Sequence, residues 1–238
     1  MGKRIIVRRR GAGTSVYRSP SHRHLTSARL PKIRSGRAEI IDLVHDPGHS
    51  APMAKLRWND GHVGYILAPE GIMVGQEVLM GLDAPVRTGN ILPLSSIPEG
   101  TPVYHVEGIP MDGGKFVRSG GTSATVISRG KEVVIQLPSG QFKTLSGQCR
   151  AVVGMVSGGG RPDLPFAKAG KKVHSIRSKA KVYPTVSGVA MSSVNHPHGG
   201  GGHQHVGKPN TVSKHAPPGR KVGRLSPKRK KKSAKRRK

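Results

Sequence analysis

Apolar and polar positions alternate in short runs only through the middle of the chain, between about residues 37 and 158. Ala54, Leu56 and Trp58 fall on one side of an extended segment, and Lys55 and Arg57 on the other. Period-two alternation of this kind marks a half-buried strand. Asn59-Asp60-Gly61 follows at once, residues that tolerate positive φ, and Val63–Leu67 is apolar again, so the pattern predicts a hairpin. Glu39–Val44 and Val78–Met80 add strands, and Pro69-Glu70-Gly71 a turn, to a first module over residues 37–84. A second module over 85–158 opens with a Gly- and Pro-interrupted stretch, Val86–Leu94. Its strands are expected at Val103–Val106, Thr122–Ser128, Val133–Leu137, Phe142–Leu145 and Val152–Val156. Pro138-Ser139-Gly140 joins two of them through residues suited to a turn. Many short strands with regular turn signals predict an all-β fold of two small modules, the first a small barrel. Each is near the lower size limit for independent stability, so they pack together or depend on a partner.

The flanks read differently. Residues 1–36 form a basic arm with sparse, unperiodic apolar positions. Such an arm cannot bury a core of its own and is expected to be extended and ordered only on binding. Residues 159–238 form a basic extension rich in Gly and His, entered through a Gly158–Pro162 linker. A short cationic helix is expected within Ala167–Lys181, and the end from Pro227 to Lys238 is expected to be disordered unless bound. Val194-Asn-His-Pro-His198, followed by Gly199 to Gly202, fits neither a helix nor a central strand. Pro197 removes a backbone donor, and ordering a glycine run costs entropy. This loop therefore reads as a segment ordered by a partner that the bare backbone approaches closely.

Charge identifies the partner's chemistry. Lys and Arg number 41 against 12 Asp and Glu, a formal net charge of +29, while aromatic residues are only 3%. A small aliphatic core carrying that excess calls for a polyanion, although a basic surface can also be merely solvated. Both ends are basic and the modules between them compact, as in a chain that threads a large folded RNA. The candidate RNA contacts in the arm are Lys3, Arg4, Arg8, Arg9, Arg10, Arg18, His22 and Arg23. Arg118 and Arg150 lie in the second module, and Lys171, Lys172, Arg177 and Lys181 around the expected helix. The loop and the segment after it supply His196, His198, Gly199, Gly200, Gly201, His203, His205, Lys208, Lys214, Arg220, Lys221 and Arg224.

Other chemistries find less support. The single cysteine, Cys149, excludes an internal disulfide and reads as a small buried thiol in a reducing compartment. His196, His198, His203 and His205 invite a metal site, but no cysteine is near and no carboxylate follows Asp163. Imidazole ligands ordinarily need such a supporting shell, so no metal and no cofactor is expected. A histidine base would also need an orienting group and a nucleophile, and none is local, so the chain is not expected to be an enzyme. Gly202 to Lys208 matches part of a phosphate-binding loop, yet Pro209 stands where Ser or Thr should hold magnesium. Ile5-Ile6-Val7 is too short for a signal peptide, and no stretch approaches a membrane span, so a cytoplasmic protein without a membrane partner is expected. The alternatives are a non-specific nucleic-acid compactor and a metal- or histidine-dependent hydrolase.

Specific motifs narrow the choice. Pro184-Thr185-Val186, Gly188-Val189-Ala190-Met191 and His196-Pro197-His198-Gly199-Gly200-Gly201 resemble the signature of the second large-subunit ribosomal protein family. Upstream, Gly89–Leu94, Ile97–Thr101, Arg118–Thr122, Leu137–Gly140 and Cys149-Arg150-Ala151 are similar to it as well. His203-Gln204-His205 resembles the archaeal and eukaryotic branch, while Ser187 stands where the family often has Arg. The resemblance implies an OB-fold over 37–84, an SH3-like barrel over 85–158, and tails embedded in rRNA near the peptidyl-transferase centre. It implies roles in subunit assembly, subunit association and tRNA binding. Its implied partners are large-subunit rRNA, other large-subunit proteins and the small subunit at the interface, with no homo-oligomer. Peptidyl transfer belongs to rRNA in this family, so His196 and His198 are assigned a structural or RNA-contact role.

Overall fold

The computed structural model describes residues 2–130 and 132–227. Of the tail expected to be disordered, Pro227–Lys238, residues 228–238 lie outside them. The chain forms two compact units, Pro20–Lys179 and the described parts of Met1–Ser19 with Ala180–Lys238.

Pro20–Lys179 is built from strands. They are β1 (Gly36–Val44), β2 (Met53–Trp58), β3 (Val63–Leu67), β4 (Glu77–Met80), β5 (Ile91–Pro93), β6 (Pro102–Tyr104), β7 (Ala124–Ser128), β8 (Glu132–Gln136), β9 (Phe142–Ser146) and β10 (Arg150–Val153). Among the described residues these ten join into one sheet, in the order β3-β2-β1-β4-β5-β10-β6-β7-β8-β9. The all-β class is correct. The expected hairpin is β2–β3, with Trp58 N–H donating to His62 O at 2.9 Å. Only Gly61 of its loop takes positive φ, at 80°, which glycine adopts without a Cβ penalty. In β1 the register slips by one residue between Ile40 and Asp42, a bulge that bends the strand.

The two halves share strands instead of merely touching. β4 and β5 pair in parallel through Met80 and Ile91. Ile91, Tyr104 and Val152 then pack into one core with Ile40, Met53, Leu56, Trp58, Ile66 and Leu67. Their neighbours Leu92, Val103 and Val153 pack into a second core with Val126, Val133, Ile135 and Cys149. Successive residues of a strand point to opposite faces, so β5, β6 and β10 are buried on both sides. β5 is only three residues long and ends on Pro93, with Gly89 just before it, so Val86–Leu94 gives no strand signal. The Tyr104 hydroxyl crosses between the halves and donates to Leu67 O at 2.9 Å.

Three expectations need correction. The basic arm is not wholly extended: Ile6–Gly11 is a helical turn and a half, α1, and Ala28 and Leu30 are buried in the first core. Leu30 N–H also donates to Gly113 O at 2.9 Å. A few apolar side chains from the arm thus complete a core that the module alone leaves open. The Gly158–Pro162 segment is not a free linker either. Gly121 N–H donates to Val156 O at 2.9 Å, and a Cβ on Gly120 would sit 3.1 Å from Gly158 O, so glycine faces glycine. Beyond it α2 (Ala169–Arg177) forms where the short helix was expected.

The third correction concerns the glycine-rich loop in the other unit. It has no helix or strand apart from a 3-10 turn at Gly188–Ala190, yet its own chain orders it. His196 N–H donates to Ser192 O at 3.2 Å, Gly199 N–H to His196 O at 2.9 Å and Gly200 N–H to Met191 O at 3.0 Å. A Cβ on Gly199 would collide with the carbonyls of Met191 and Ser192. That glycine is consumed by internal packing. Around Gly202, by contrast, a Cβ would meet nothing within 4 Å. Downstream, β11 (Thr211–Val212) and β12 (Arg224–Leu225) form a two-strand parallel pair.

Candidate nucleic-acid interface

In the unit containing the loop, Lys3 N–H donates to Val194 O at 2.8 Å. This bond brings the start of the chain beside the His-Pro-His segment. Gly2, Lys3, Arg4 and Arg8 line one cleft together with His196 and Pro197. His198, Lys208, His215 and Arg220 line a second. Lys3, Arg4, Arg8, Arg9, Arg10, Arg18, Lys181, His203, His205, Lys208, Lys214, Arg220, Lys221 and Arg224 are exposed, as are Gly200 and Gly201. Arg10 lies over the Tyr17 ring, 6.0 Å from its centroid. Carboxylates are absent among the residues that line either cleft.

Among the described residues, no three of His196, His198, His203 and His205 bring metal-ligating atoms together. His196 and His198 meet edge to face, with ring centroids 5.1 Å apart. His196 Nδ1 accepts from His198 N–H at 3.1 Å, so that ring closes the turn. Burial, then the neighbouring His198, pushes the His196 pKa below its usual value. His205 Nδ1 lies 2.7 Å from His203 O.

In Pro20–Lys179, His22, Arg23, Arg118, Lys171 and Arg177 are exposed and Lys172 is half-buried. Lys171 lines a groove of about 590 Å³ with Arg161, Leu164 and Phe166. Arg118 lines another with Lys115 and Phe116.

Arg150, expected as an RNA contact, is turned inward. Its side chain is only 7% exposed and its guanidinium is committed to protein partners. Nη2 donates to Glu107 Oε1 at 2.6 Å, and Nη1 donates to the carbonyls of Pro31 and Ile33 at 2.8 Å each. Burial alone would raise the Glu107 pKa. The Arg150 side chain and backbone N–H outweigh it and hold the carboxyl below its usual value. Glu107 also accepts from Met111 N–H and Gly113 N–H. The pair is thus a buried clamp between β10, the 107–113 loop and the arm. A basic residue in a Cys-Arg-Ala run gives no sign of this, because its carboxylate lies 43 positions away.

Two further clusters went unread in the sequence. His105 is fully buried at a φ of 51°, and no hydrogen bond of normal geometry reaches either ring nitrogen. Burial, then the charge of Arg118, lowers its pKa to about 4, despite weak opposing influences from the Ala28 backbone, Glu107 and Asp112. Gly114, at a φ of 87°, lies against it: a Cβ there would sit 2.8 Å from His105 O. The other cluster is His24, Asp46 and His49, which bring metal-ligating atoms together. Cys149 is buried and unpaired as expected. Burial, then the charges of Glu107 and Asp112, raises its thiol pKa.

Comparison with known proteins decides the family. Residues 3–80 match the model for "Ribosomal Proteins L2, RNA binding N-terminal domain", and residues 87–220 that for "Ribosomal Proteins L2, C-terminal domain". The chain belongs to the ribosomal protein L2 family. Its relatives include large ribosomal subunit protein uL2 of Methanothermobacter thermautotrophicus, 52% identical over 236 residues, covering 96% of this chain and 98% of the relative. The Methanobrevibacter smithii protein of the same name is 50% identical with the same coverage. That of Methanococcus maripaludis strain C5 is 52% identical over 237 residues. The family assignment made from the His-Pro-His-Gly motif is correct, and these archaeal L2 relatives match along nearly the full chain. Among the described residues, no helix is long and apolar enough to cross a membrane.

Proposed function

We propose that this chain is a structural constituent of the large ribosomal subunit that binds rRNA through its exposed cations. The observation that carries this reading is the full-length match to archaeal uL2 proteins. The cationic layout supplies its physics. Phosphates meet Lys3, Arg4 and Arg8 in the cleft beside His196, and Lys208 and Arg220 in the cleft beside His198. A surface poor in carboxylates draws a polyanion without an opposing field. Gly200, Gly201 and Gly202 present bare backbone where RNA approaches, while Gly199 keeps the turn.

Pro20–Lys179 is the rigid body that docks. Its first half reads as an OB-fold over 37–84 and its second as an SH3-like barrel over 85–158, joined through β4 and β5. Exposed Lys171 and Arg177 on α2 and Arg118 on the second half reach phosphates, and the tails thread between rRNA helices. The protein works as a single copy near the peptidyl-transferase region. There it supports assembly, association with the small subunit and tRNA binding, and contacts other large-subunit proteins. Its role is architectural, and the chain contributes no catalytic group.

Hydroxyl-radical protection of large-subunit rRNA tests this, using the full chain and a variant lacking residues 194–202. The expected result is a set of footprints with the full chain, of which the variant loses only those near the peptidyl-transferase region. Equal protection of unrelated RNA of the same length would overturn the reading and favour a non-specific compactor.

A further inference from the structure

We propose that His24, Asp46 and His49 form a zinc-binding site, supplying one nitrogen from each imidazole and one oxygen from the carboxylate. Among the described residues these three alone bring metal-ligating atoms together, all within 4.8 Å of one another. A tetrahedral zinc ion with bonds of about 2.0–2.1 Å places its ligand atoms about 3.4 Å apart, so modest ring rotations close the site. Two imidazoles and a carboxylate are ligands zinc accepts readily, and water completes a four-coordinate ion.

The site is built in advance by the backbone. Asp46 is fully buried and its side chain is fixed from several sides. Gly48 N–H donates to Oδ1 at 2.7 Å, Leu25 N–H donates to Oδ2 at 3.3 Å, and His49 Nδ1 lies 2.7 Å from Oδ2. The backbone donors satisfy the carboxylate without any metal, so its position costs the ion little. A Cβ at position 48 would run into the His24 ring, so Gly48 makes the space that ring occupies. The two rings stand edge to face at 6.0 Å. Both histidines are half-buried, and the His49 side chain keeps 23% of its surface open to solvent, a way in for the ion. The site joins the arm, through His24 and Leu25, to the loop that follows β1. A metal there would fasten the arm to the first half of the fold, independently of RNA.

The test uses the metal-free full chain at pH 7, titrated with zinc against a chromophoric chelator and, separately, with cobalt(II) followed in the visible range. Because the chain contains 12 histidines, variants identify the site. His49→Arg removes a ligand but leaves a cation to bond Asp46, and His24→Phe removes the other imidazole. The double variant His203→Ala/His205→Ala is the control. One zinc per chain is expected, with affinity falling more than about 100-fold in each of the first two variants and unchanged in the control. The cobalt spectrum should show ligand-field bands without thiolate charge transfer, since Cys149 takes no part. Failure to retain zinc, equal affinity in all variants, or loss confined to the control would overturn the proposal. If His49→Arg lowers the melting temperature of the metal-free chain, His24→Phe decides.

Discussion

Replacing Arg150 by Met removes the cation from a carboxylate with no exposed surface. Glu107 keeps its hydrogen bonds from the backbone N–H groups of Met111, Gly113 and Arg150 but loses every bond to the guanidinium. The carbonyls of Pro31 and Ile33 lose a donor at the same time. Breaking a buried ion pair from one side costs about 3–5 kcal/mol, because an uncompensated charge stays behind. In a unit of this size that lowers the melting temperature by roughly 10 °C. Trp58, the single tryptophan and part of the first core, reports unfolding by fluorescence.

The pH dependence adds a second signature. The Glu107 pKa is held down in the folded protein, so its contribution to stability is present above the unfolded value and lost as pH falls through the folded one. Without Arg150 the folded carboxyl titrates higher, and the deficit of the variant shrinks as pH falls from 7 toward 4. Glu107→Gln with Arg150→Met should cost less than the sum of the single changes. The salt dependence of rRNA binding should be unchanged, because the guanidinium is already held by Glu107 and the carbonyls of Pro31 and Ile33. A loss below about 1 kcal/mol, or a binding slope shallower by about one ion, would refute the clamp and restore Arg150 as an RNA contact.

His105 gives an independent acid signature. Its folded pKa of about 4 lies below the ordinary histidine value of 6.5, so the unfolded chain binds the proton first. Stability should fall as pH drops from 6.5 toward 4, by up to about 3 kcal/mol for this group. Urea midpoints across that range should show the difference vanish in His105→Asn, a residue that tolerates the positive φ. In the loop, Gly202→Ala should leave the melting temperature unchanged, as a Cβ there meets nothing, but weaken rRNA binding where backbone approaches RNA. Gly199→Ala should disturb the free chain itself, read from the amide spectra of residues 191–200.

The hairpin at Asn59-Asp60-Gly61 and the half-buried β2 were legible because each obeys a local rule of turn chemistry or alternation. β5 was not: three residues that end on Pro93 are too short and too interrupted to show a pattern. The arm was misread for a related reason. Ala28 and Leu30 show no period, yet a core provided by distant strands buries them. At the interface the exposed cations could be named from sequence, whereas the Arg150–Glu107 pair could not, because no local pattern links positions so far apart. The glycine run was read as one feature, although the fold divides it into a packed Gly199 and an open Gly202. The family itself was legible from a motif that needs no fold to be seen.

The most direct test of the central claim is competitive binding of the full chain to large-subunit rRNA and to a size-matched non-ribosomal RNA, at physiological salt and across a salt series. A preference for the rRNA is expected, with log K falling steeply with log salt, by roughly 7–9 per log unit if about ten phosphates are neutralised. Equal affinity for both RNAs at every salt concentration would contradict the account and leave only a basic chain that binds any polyanion.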